Sequence, residues 1–246
     1  MRIVVYTCIT ENYDFLPVNV IKSDNIEFVC LTDNNVYEEN SEWKYVNINY
    51  LPYKGKKLNR YAKFFPHKFF EDYDCSIYVD GNIAIVSDLY ELVDSVLASN
   101  TLALYEHPIR SSIMSEALEC SWRGFTTYWT AMKQIRRYIS DGFVDDKLFE
   151  CSIIFRKHDS SLEKLSEMWW QEFINNARRD QLSLTYSAWK TDIKIYDLGK
   201  SDLRFTNKYF KYSEIQKKHN RSKKVKITSL FNKIIMLFSG VNNKRL

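Results

Sequence analysis

An α/β domain, a sheet with helices on both faces, is the fold class this chain predicts, from three observations. Short runs of β-branched and aromatic residues alternate with longer segments whose apolar residues recur every three to four positions. Apolar residues make up 45% of the 246 and aromatics 15%, ample for a core. Glycine and proline are scarce, at six and four, so long linkers are not expected. In order, residues 3–8 and 26–32 read as the first two parallel strands and 43–48 as a third. The poorly patterned connection 10–25 predicts a loop with a short helix. Residues 57–74 read as a helix, a break at Pro66 and a short helical turn, with Leu58, Tyr61, Ala62, Phe65 and Phe69 on the buried face. Residues 75–79 form a central strand, 88–98 a helix and 101–105 another strand. Segments 112–122 and 126–138 are helical, 151–156 is a strand, 161–175 and 180–189 are helices, and 193–196 is a last short strand. No internal repeat is present.

The charge is unevenly divided. Residues 208–246 hold eleven Lys or Arg against one acidic residue, a balance of +10, while the first 207 hold 24 against 30, a balance of −6. This sets the expected boundary between a domain at 1–207 and a basic amphipathic helical tail at 208–246. A basic block followed by a segment rich in Leu, Ile, Met and Phe suits an anionic membrane surface. A helix packed on the domain with a solvated lead-in is the other reading. A nucleic-acid arm is disfavoured, because no recognition motif accompanies the charge, and no nucleic-acid partner is expected. The chain opens directly as a strand, so no signal segment is expected, and no stretch approaches a membrane-spanning length. The five cysteines, 8, 30, 75, 120 and 151, are odd in number and widely spaced. They read as reduced core residues of a cytoplasmic protein rather than as a zinc or redox motif. Peripheral contact with the inner face of the cell membrane through the tail remains an open reading of location.

The most informative stretch is Cys75-Ser-Ile-Tyr-Val-Asp80-Gly81-Asn82-Ile83. A buried strand climbs to a carboxylate at the sheet edge where open α/β folds bind their ligands. Such a carboxylate is costly unless it meets a cation. Asp80 and Asn82 flank a residue without a side chain, so both can aim oxygens into one crevice, a geometry that suits a hard divalent cation carrying a diphosphate. An ordinary Asp-Gly turn is the competing explanation. Upstream, Arg60 and Lys63 are three apart and share a helix face. They supply either the positive groups a diphosphate needs or simply a wet helix surface.

Taken with Pro66-His67, Tyr73-Asp74, Glu106-His107-Pro-Ile-Arg110, Glu116, Trp169-Trp170 and Arg179-Asp180-Gln181-Leu182-Ser183, these residues resemble a glycosyltransferase family. It includes plant Golgi proteins of the pollen and seed-mucilage type and members from bacterial polysaccharide loci. The resemblance covers roughly residues 1–207 with its motifs in order. That family is similar to the GT-A (Rossmann-like) nucleotide-sugar transferases, including family 8, which implies a mixed, mainly parallel sheet. There an Asp-x-Asp motif holds manganese and the sugar nucleotide; here it is Asp80-Gly81-Asn82, with an amide in place of the second carboxylate.

The resemblance implies a divalent-metal-dependent, hexosyltransferase-like enzyme of polysaccharide synthesis. It would use Mn²⁺ or Mg²⁺, a nucleotide-sugar donor, a UDP-sugar being favoured, and a glycan or lipid-linked acceptor. Asp80 and Asn82 would hold the metal. Thr7, Thr10, Asp33, Arg60, Lys63, Asp80, Gly81 and Arg110 would bind the donor, and His107, Asp180 and Gln181 would serve catalysis. Asp180 is either the acceptor's proton acceptor, a contact to the donor sugar, or only a helix cap. Of Trp169 and Trp170, adjacent on a helix, only one is expected to face the core and the other is free to stack on a sugar. Helix packing alone also explains both. Two rivals are a metal-dependent hydrolase of a lipid or glycan built on Asp80, His107 and Asp180, and a non-catalytic nucleotide-sugar-binding module.

Overall fold

The structure, a computed structural model, describes residues 1–16, 21, 23, 25–34, 42–214, 217 and 219–240. Much of the connection expected to hold a short helix, together with Lys218 and residues 241–246, lies outside the described residues. The chain runs β1 (Ile3–Ile9), β2 (Ile26–Thr32), β3 (Lys44–Asn47), α1 (Gly55–Phe64), β4 (Cys75–Val79), β5 (Ile83–Ile85), α2 (Tyr90–Leu97) and β6 (Leu102–Glu106). It continues through α3 (Ile113–Trp122), α4 (Tyr128–Ser140), β7 (Phe149–Lys157), α5 (Ser160–Asn175), α6 (Gln181–Lys190), β8 (Ile195–Lys200), β9 (Phe210–Tyr212) and α7 (Lys223–Phe238).

The main sheet has seven strands in the order β3-β2-β1-β4-β7-β6-β8. β1 is parallel to both β2 and β4, and β2 to β3, so the chain winds outward from β1 to β3 and then returns to β1's other side. That reversal opens a crevice beyond the carboxyl ends of β1 and β4. β7 enters antiparallel between β4 and β6, and β8 pairs parallel with β6. Since β4 and β6 both oppose β7, they run the same way, and Asp80 and His107 leave the sheet at one edge. The strand-by-strand alternation of residues places Val4, Tyr6, Cys8 and Tyr78 under α1 and α5, and Ile3, Val5, Ile77 and Val79 under α2. Both tryptophans of α5 are buried: Trp169 stacks on Phe64 at 3.8 Å, and Trp170 packs against Tyr53, Tyr61 and Phe65. Neither is left to meet a sugar, because α5 lies under α1's aromatics. The five cysteines are all buried, and none forms a disulfide among the described residues.

A third core joins α3, α4, α6 and the end of α7 through Ile113, Ala131, Ile135, Tyr138, Tyr186 and Met236. Of the basic segment, Phe210–Tyr212 pairs antiparallel with Ile83–Ile85 in a small second sheet, so this stretch completes the structure immediately after the Asp80 turn. α7 docks by an unusual, polar face. Asn232 Nδ2 donates to Ser121 O (2.7 Å) and Thr126 O (2.8 Å), its Oδ1 accepts from Tyr128 N (2.9 Å), and Ser229 Oγ donates to Trp122 O (2.5 Å). Gly124 lets the two backbones meet: its φ is +79°, and a Cβ there would stand 2.2 Å from Val225 O. Gly124→Ala should therefore lower unfolding free energy by about 1–3 kcal/mol, measured by urea denaturation. An unchanged midpoint would show that α7 is not held at this contact.

Candidate active site

The site is built where the carboxyl ends of β4 and β6 meet α1 and α6. Asp80 N–H donates to Ser152 O (2.9 Å), and Ile83 N–H closes a turn onto Asp80 O (3.0 Å). A Cβ on Gly81 would stand 3.0 Å from two Ile9 side-chain carbons, a tight approach that a residue without a side chain relieves. Asp80 Oδ1 accepts from Tyr78 OH at 3.0 Å and lies 3.5 Å from Lys63 Nζ. Asn82 is half-buried on the far side of the turn.

In α1, Leu58 and Ala62 face the core, which turns Arg60 and Lys63 together toward α6. Lys63 Nζ donates to Asp180 Oδ2 at 2.8 Å, and Arg60 Nε lies 3.2 Å from the same oxygen. Lys63 is only 1% exposed, with its ammonium over the Tyr78 ring. It has no surface left for a phosphate, so its direct role is to hold the two carboxylates. Burial alone would push the Asp180 carboxyl up, but the charges of Arg60, Lys63 and Arg179 outweigh it and hold it well below the usual range. Asp180 has helical φ and ψ and makes no side-chain cap, so the helix-cap reading does not hold. Its carbonyl accepts Trp169 Nε1 at 3.1 Å. Lys56, still reached by solvent, is pushed down to about 8 by burial and the charges of Arg179 and Arg60. Four cations (Lys56, Arg60, Lys63 and Arg179) thus surround two carboxylates, and the buried Nε atoms of Arg60 and Arg179 make no hydrogen bond.

Next to this cationic centre lies a second cluster. His107 Nδ1 accepts the amides of Ile109 (3.1 Å) and Arg110 (2.9 Å), so Nε2 carries the ring proton and points at Glu150 Oε1, 3.1 Å away. Burial first, and Arg110 second, push His107 down to about 4. The ring is therefore neutral near pH 7, and its contact with Glu150 is a hydrogen bond rather than an ion pair. Arg110 Nη2 stands 2.7 Å from the same nitrogen and its charge disfavours protonating the ring, while Arg110 Nε pairs with Glu116 at 2.6 Å. Glu150 Oε2 accepts Gln181 Nε2 at 3.2 Å. Burial, then the negative charges of Glu116 and Asp80, push Glu150 up to about 7. Glu150, His107, Arg110, Ser152, Arg204 and Tyr212 line a cavity of about 240 Å³.

The structure thus brings Arg60, Lys63, Asp80, Gly81, Asn82, His107, Arg110, Asp180 and Gln181 to one edge. Thr7 is inside β1 with its hydroxyl buried and unpartnered, away from any loop. Thr10 Oγ1 donates to Gly55 O (3.1 Å) and Asp33 accepts Glu11 N (3.0 Å), so both tie the loop after β1 to its neighbours. His158 is partly buried and bonded to Ser76 Oγ at 2.9 Å. Glu150 escaped sequence reasoning because it falls just before the strand read at 151–156 and belongs to no motif, whereas β7 begins at Phe149.

This arrangement can be set beside known proteins. The family model for the TOD1/MUCI70 glycosyltransferase-like domain matches residues 1–220. The chain belongs to that family. One curated relative, "Probable hexosyltransferase MUCI70" of Arabidopsis thaliana, is 23% identical over 155 residues, which span 58% of this chain and 27% of that protein. Among solved structures, the apo form of the bifunctional glycosyltransferase WbbM superposes with a TM-score of 0.50 at 15% identity, covering 79% of this chain and 38% of that one. The galactosyltransferase LgtC, solved with donor and acceptor sugar analogues, gives 0.44 at 13% identity, over 79% of this chain and 72% of its own. The strand order and directions, together with the WbbM superposition, give a GT-A-like fold: a mixed, mainly parallel sheet between helices.

Removing Lys63 strands Asp180 in a buried pocket with one counter-charge fewer. Lys63→Met should lower unfolding free energy by about 3–5 kcal/mol. Adding Asp180→Asn should recover part of that loss, as coupled partners do. Urea denaturation of both variants checks this, and purely additive losses would contradict it.

Proposed function

We propose that this glycosyltransferase-like protein moves a sugar from a nucleoside-diphosphate donor to a glycan or lipid-linked acceptor in polysaccharide synthesis. The observation that carries the reading is the surplus of positive charge at the sheet edge, Lys56, Arg60, Lys63 and Arg179 around Asp80 and Asp180. A dianionic diphosphate would balance it, and as leaving-group charge grows, those fixed cations would stabilise it without reorganising.

Asp80 and Asn82 fit Mg²⁺ or Mn²⁺ only if the diphosphate and water supply most of the coordination. Asp80 Oδ1 already meets Tyr78 and Lys63, and the second donor is a neutral amide. A metal so held would neutralise charge on the diphosphate. The environments of two carboxylates divide the remaining work. Asp180, clamped by cations and buried, is a weak base and holds the cationic face in place. Glu150 faces the cavity with a raised affinity for protons. In this reading the acceptor oxygen attacks the anomeric carbon as the bond to the diphosphate breaks. The acceptor's proton passes to Glu150, and the diphosphate leaves with the bonding electrons toward Arg60 and Lys56. His107 and Gln181 each hold one Glu150 oxygen in position.

Two measurements test this. UDP-, GDP- and CMP-sugars with and without Mn²⁺ are screened by thermal shift; the matching donor at about 100 times its Kd should raise Tm by about 5–10 °C. Asp80→Ala should erase that shift and the transfer activity. With one partner of Lys63 gone its apo Tm should fall, while a cooperative unfolding transition shows that the variant still folds. No response to any donor would sink the reading. In the pH profile, Glu150 must be ionised to accept a proton, so kcat/KM should rise as pH passes about 7. The groups that set this limb are Glu116, Asp80 and Asp180, which raise Glu150, and Arg110, which lowers it. Glu150→Gln should abolish the rising limb and cost about 10²–10⁴ in rate; an unaltered profile would remove Glu150 from the chemistry.

A further inference from the structure

We infer that the outward face of α7 is a docking surface for an anionic lipid bilayer. α7 is amphipathic in the sense opposite to a helix that closes a core. Its inward face is polar, with Ser229 and Asn232 hydrogen-bonded to α3, α4 and the turn between them, and Met236 the one large apolar side chain fully buried. Its outward face carries Ile227, Leu230, Phe231, Ile234, Leu237 and Phe238, 43–89% exposed. Their spacing of three, one, three, three and one places all six on a single stripe. An apolar stripe of this size facing water is costly and marks an interaction surface.

Charge decides the occupant. From Arg221 to Gly240 the segment holds Arg221, Lys223, Lys224, Lys226 and Lys233 and no acidic residue. Lys226 and Lys233 lie along one border of the stripe, and Lys223 and Lys224 at its amino end. A second copy of the same face would set these lysines against each other, whereas anionic headgroups would be attracted to all of them while the apolar side chains enter the acyl boundary. Trp129 is 60% exposed and follows Tyr128, whose amide is bonded to Asn232, so an aromatic of the kind that prefers membrane interfaces stands beside the helix. No helix among the described residues is long and apolar enough to cross a membrane, so the contact is peripheral.

The surface is also tied to the catalytic edge. The Phe125 ring takes the guanidinium of Arg221, at the entry to α7, at 5.9 Å and that of Arg179, next to Asp180, at 5.1 Å. A bilayer bound to α7 would hold a lipid-linked acceptor close to that edge; only this last step rests on the transferase reading.

The test is sedimentation of the full chain with vesicles of phosphatidylcholine alone or with added phosphatidylglycerol, at low and high salt. Binding is expected to the anionic vesicles and to weaken with salt. Leu230→Asp/Phe231→Asp should reduce partition about tenfold or more with an unchanged Tm and unchanged response to sugar donors. Lys223→Gln/Lys224→Gln/Lys226→Gln/Lys233→Gln should weaken binding only where phosphatidylglycerol is present. Failure of the native chain to bind, or equal binding by the aspartate variant, overturns the inference. So does a lipid-independent dimer, seen by light scattering, that the aspartate variant dissociates. A wild type that binds vesicles yet answers no donor would leave the surface standing and sink the transferase reading instead.

Discussion

The structure depends on one buried ammonium. Lys63 reaches Asp180 at 2.8 Å and Asp80 at 3.5 Å, and so ties α1, the end of β4 and the start of α6 into a single unit. Each charge would be costly alone in this environment; together, with Arg60 on the same Asp180 oxygen, they are compensated. The backbone supports the arrangement. Arg156, itself buried in β7, donates from Nη1 to the Lys63 carbonyl at 2.6 Å and from Nη2 to Tyr6 OH at 2.6 Å. A cation at the carboxyl end of α1 is favoured by the helix dipole and satisfies an orphan carbonyl there. The ammonium is thus positioned from the main chain outward, and the carboxylates follow it.

That constraint separates the carboxylates by function. Asp180 is surrounded by Arg60, Lys63 and Arg179 and stays ionised; Glu150, with Glu116 and Asp80 in its field, holds a proton to about pH 7. One environment preserves charge, the other lets charge come and go. On the proposed transferase reading, a site that neutralises a diphosphate and also receives a proton needs both, and residues on neighbouring elements, α6 and β7, would supply them. His107 completes the division because its neutral ring, fixed by two backbone amides, can donate to Glu150 without adding a competing charge.

Much of this was legible in the sequence. β2 and β4 have the predicted ends, since continuous apolar β-type runs bounded by polar turns leave little choice. Arg60 and Lys63 were placed on one face by spacing alone, and Asp80 at a strand tip by the Gly that follows it. Strand direction was not legible: the antiparallel entry of β7 depends on the long α3–α4 excursion, which carries no local signature. Glu150 was hidden for the same reason, because its partners His107 and Gln181 come from remote parts of the chain. Spacing offers Lys63 either as a phosphate contact or as part of a wet helix face, and the burial of its ammonium against Asp180 and Asp80 fits neither. The basic tail offered two readings, packed helix or membrane contact, and geometry shows why sequence alone did not choose. α7 packs with the residues that pattern reasoning would leave in water.

The polarity of α7 has a physical logic. A core-facing helix docked through apolar side chains gains from burial but tolerates sliding; one docked through Asn232 and Ser229 is held in a single register by directional bonds to the carbonyls of Ser121, Trp122 and Thr126. Gly124, whose backbone sits against Val225 and Ser229, tightens that register further. α3 then becomes a rigid link between two surfaces. Near its amino end Glu116 holds Arg110 beside His107, and at its carboxyl end the Trp122 carbonyl holds α7. One ten-residue helix thus connects the α7 contact with the Arg110 side of the cavity. Rigid, polar docking is what such a helix needs if its apolar face is to remain outward rather than collapse onto the domain.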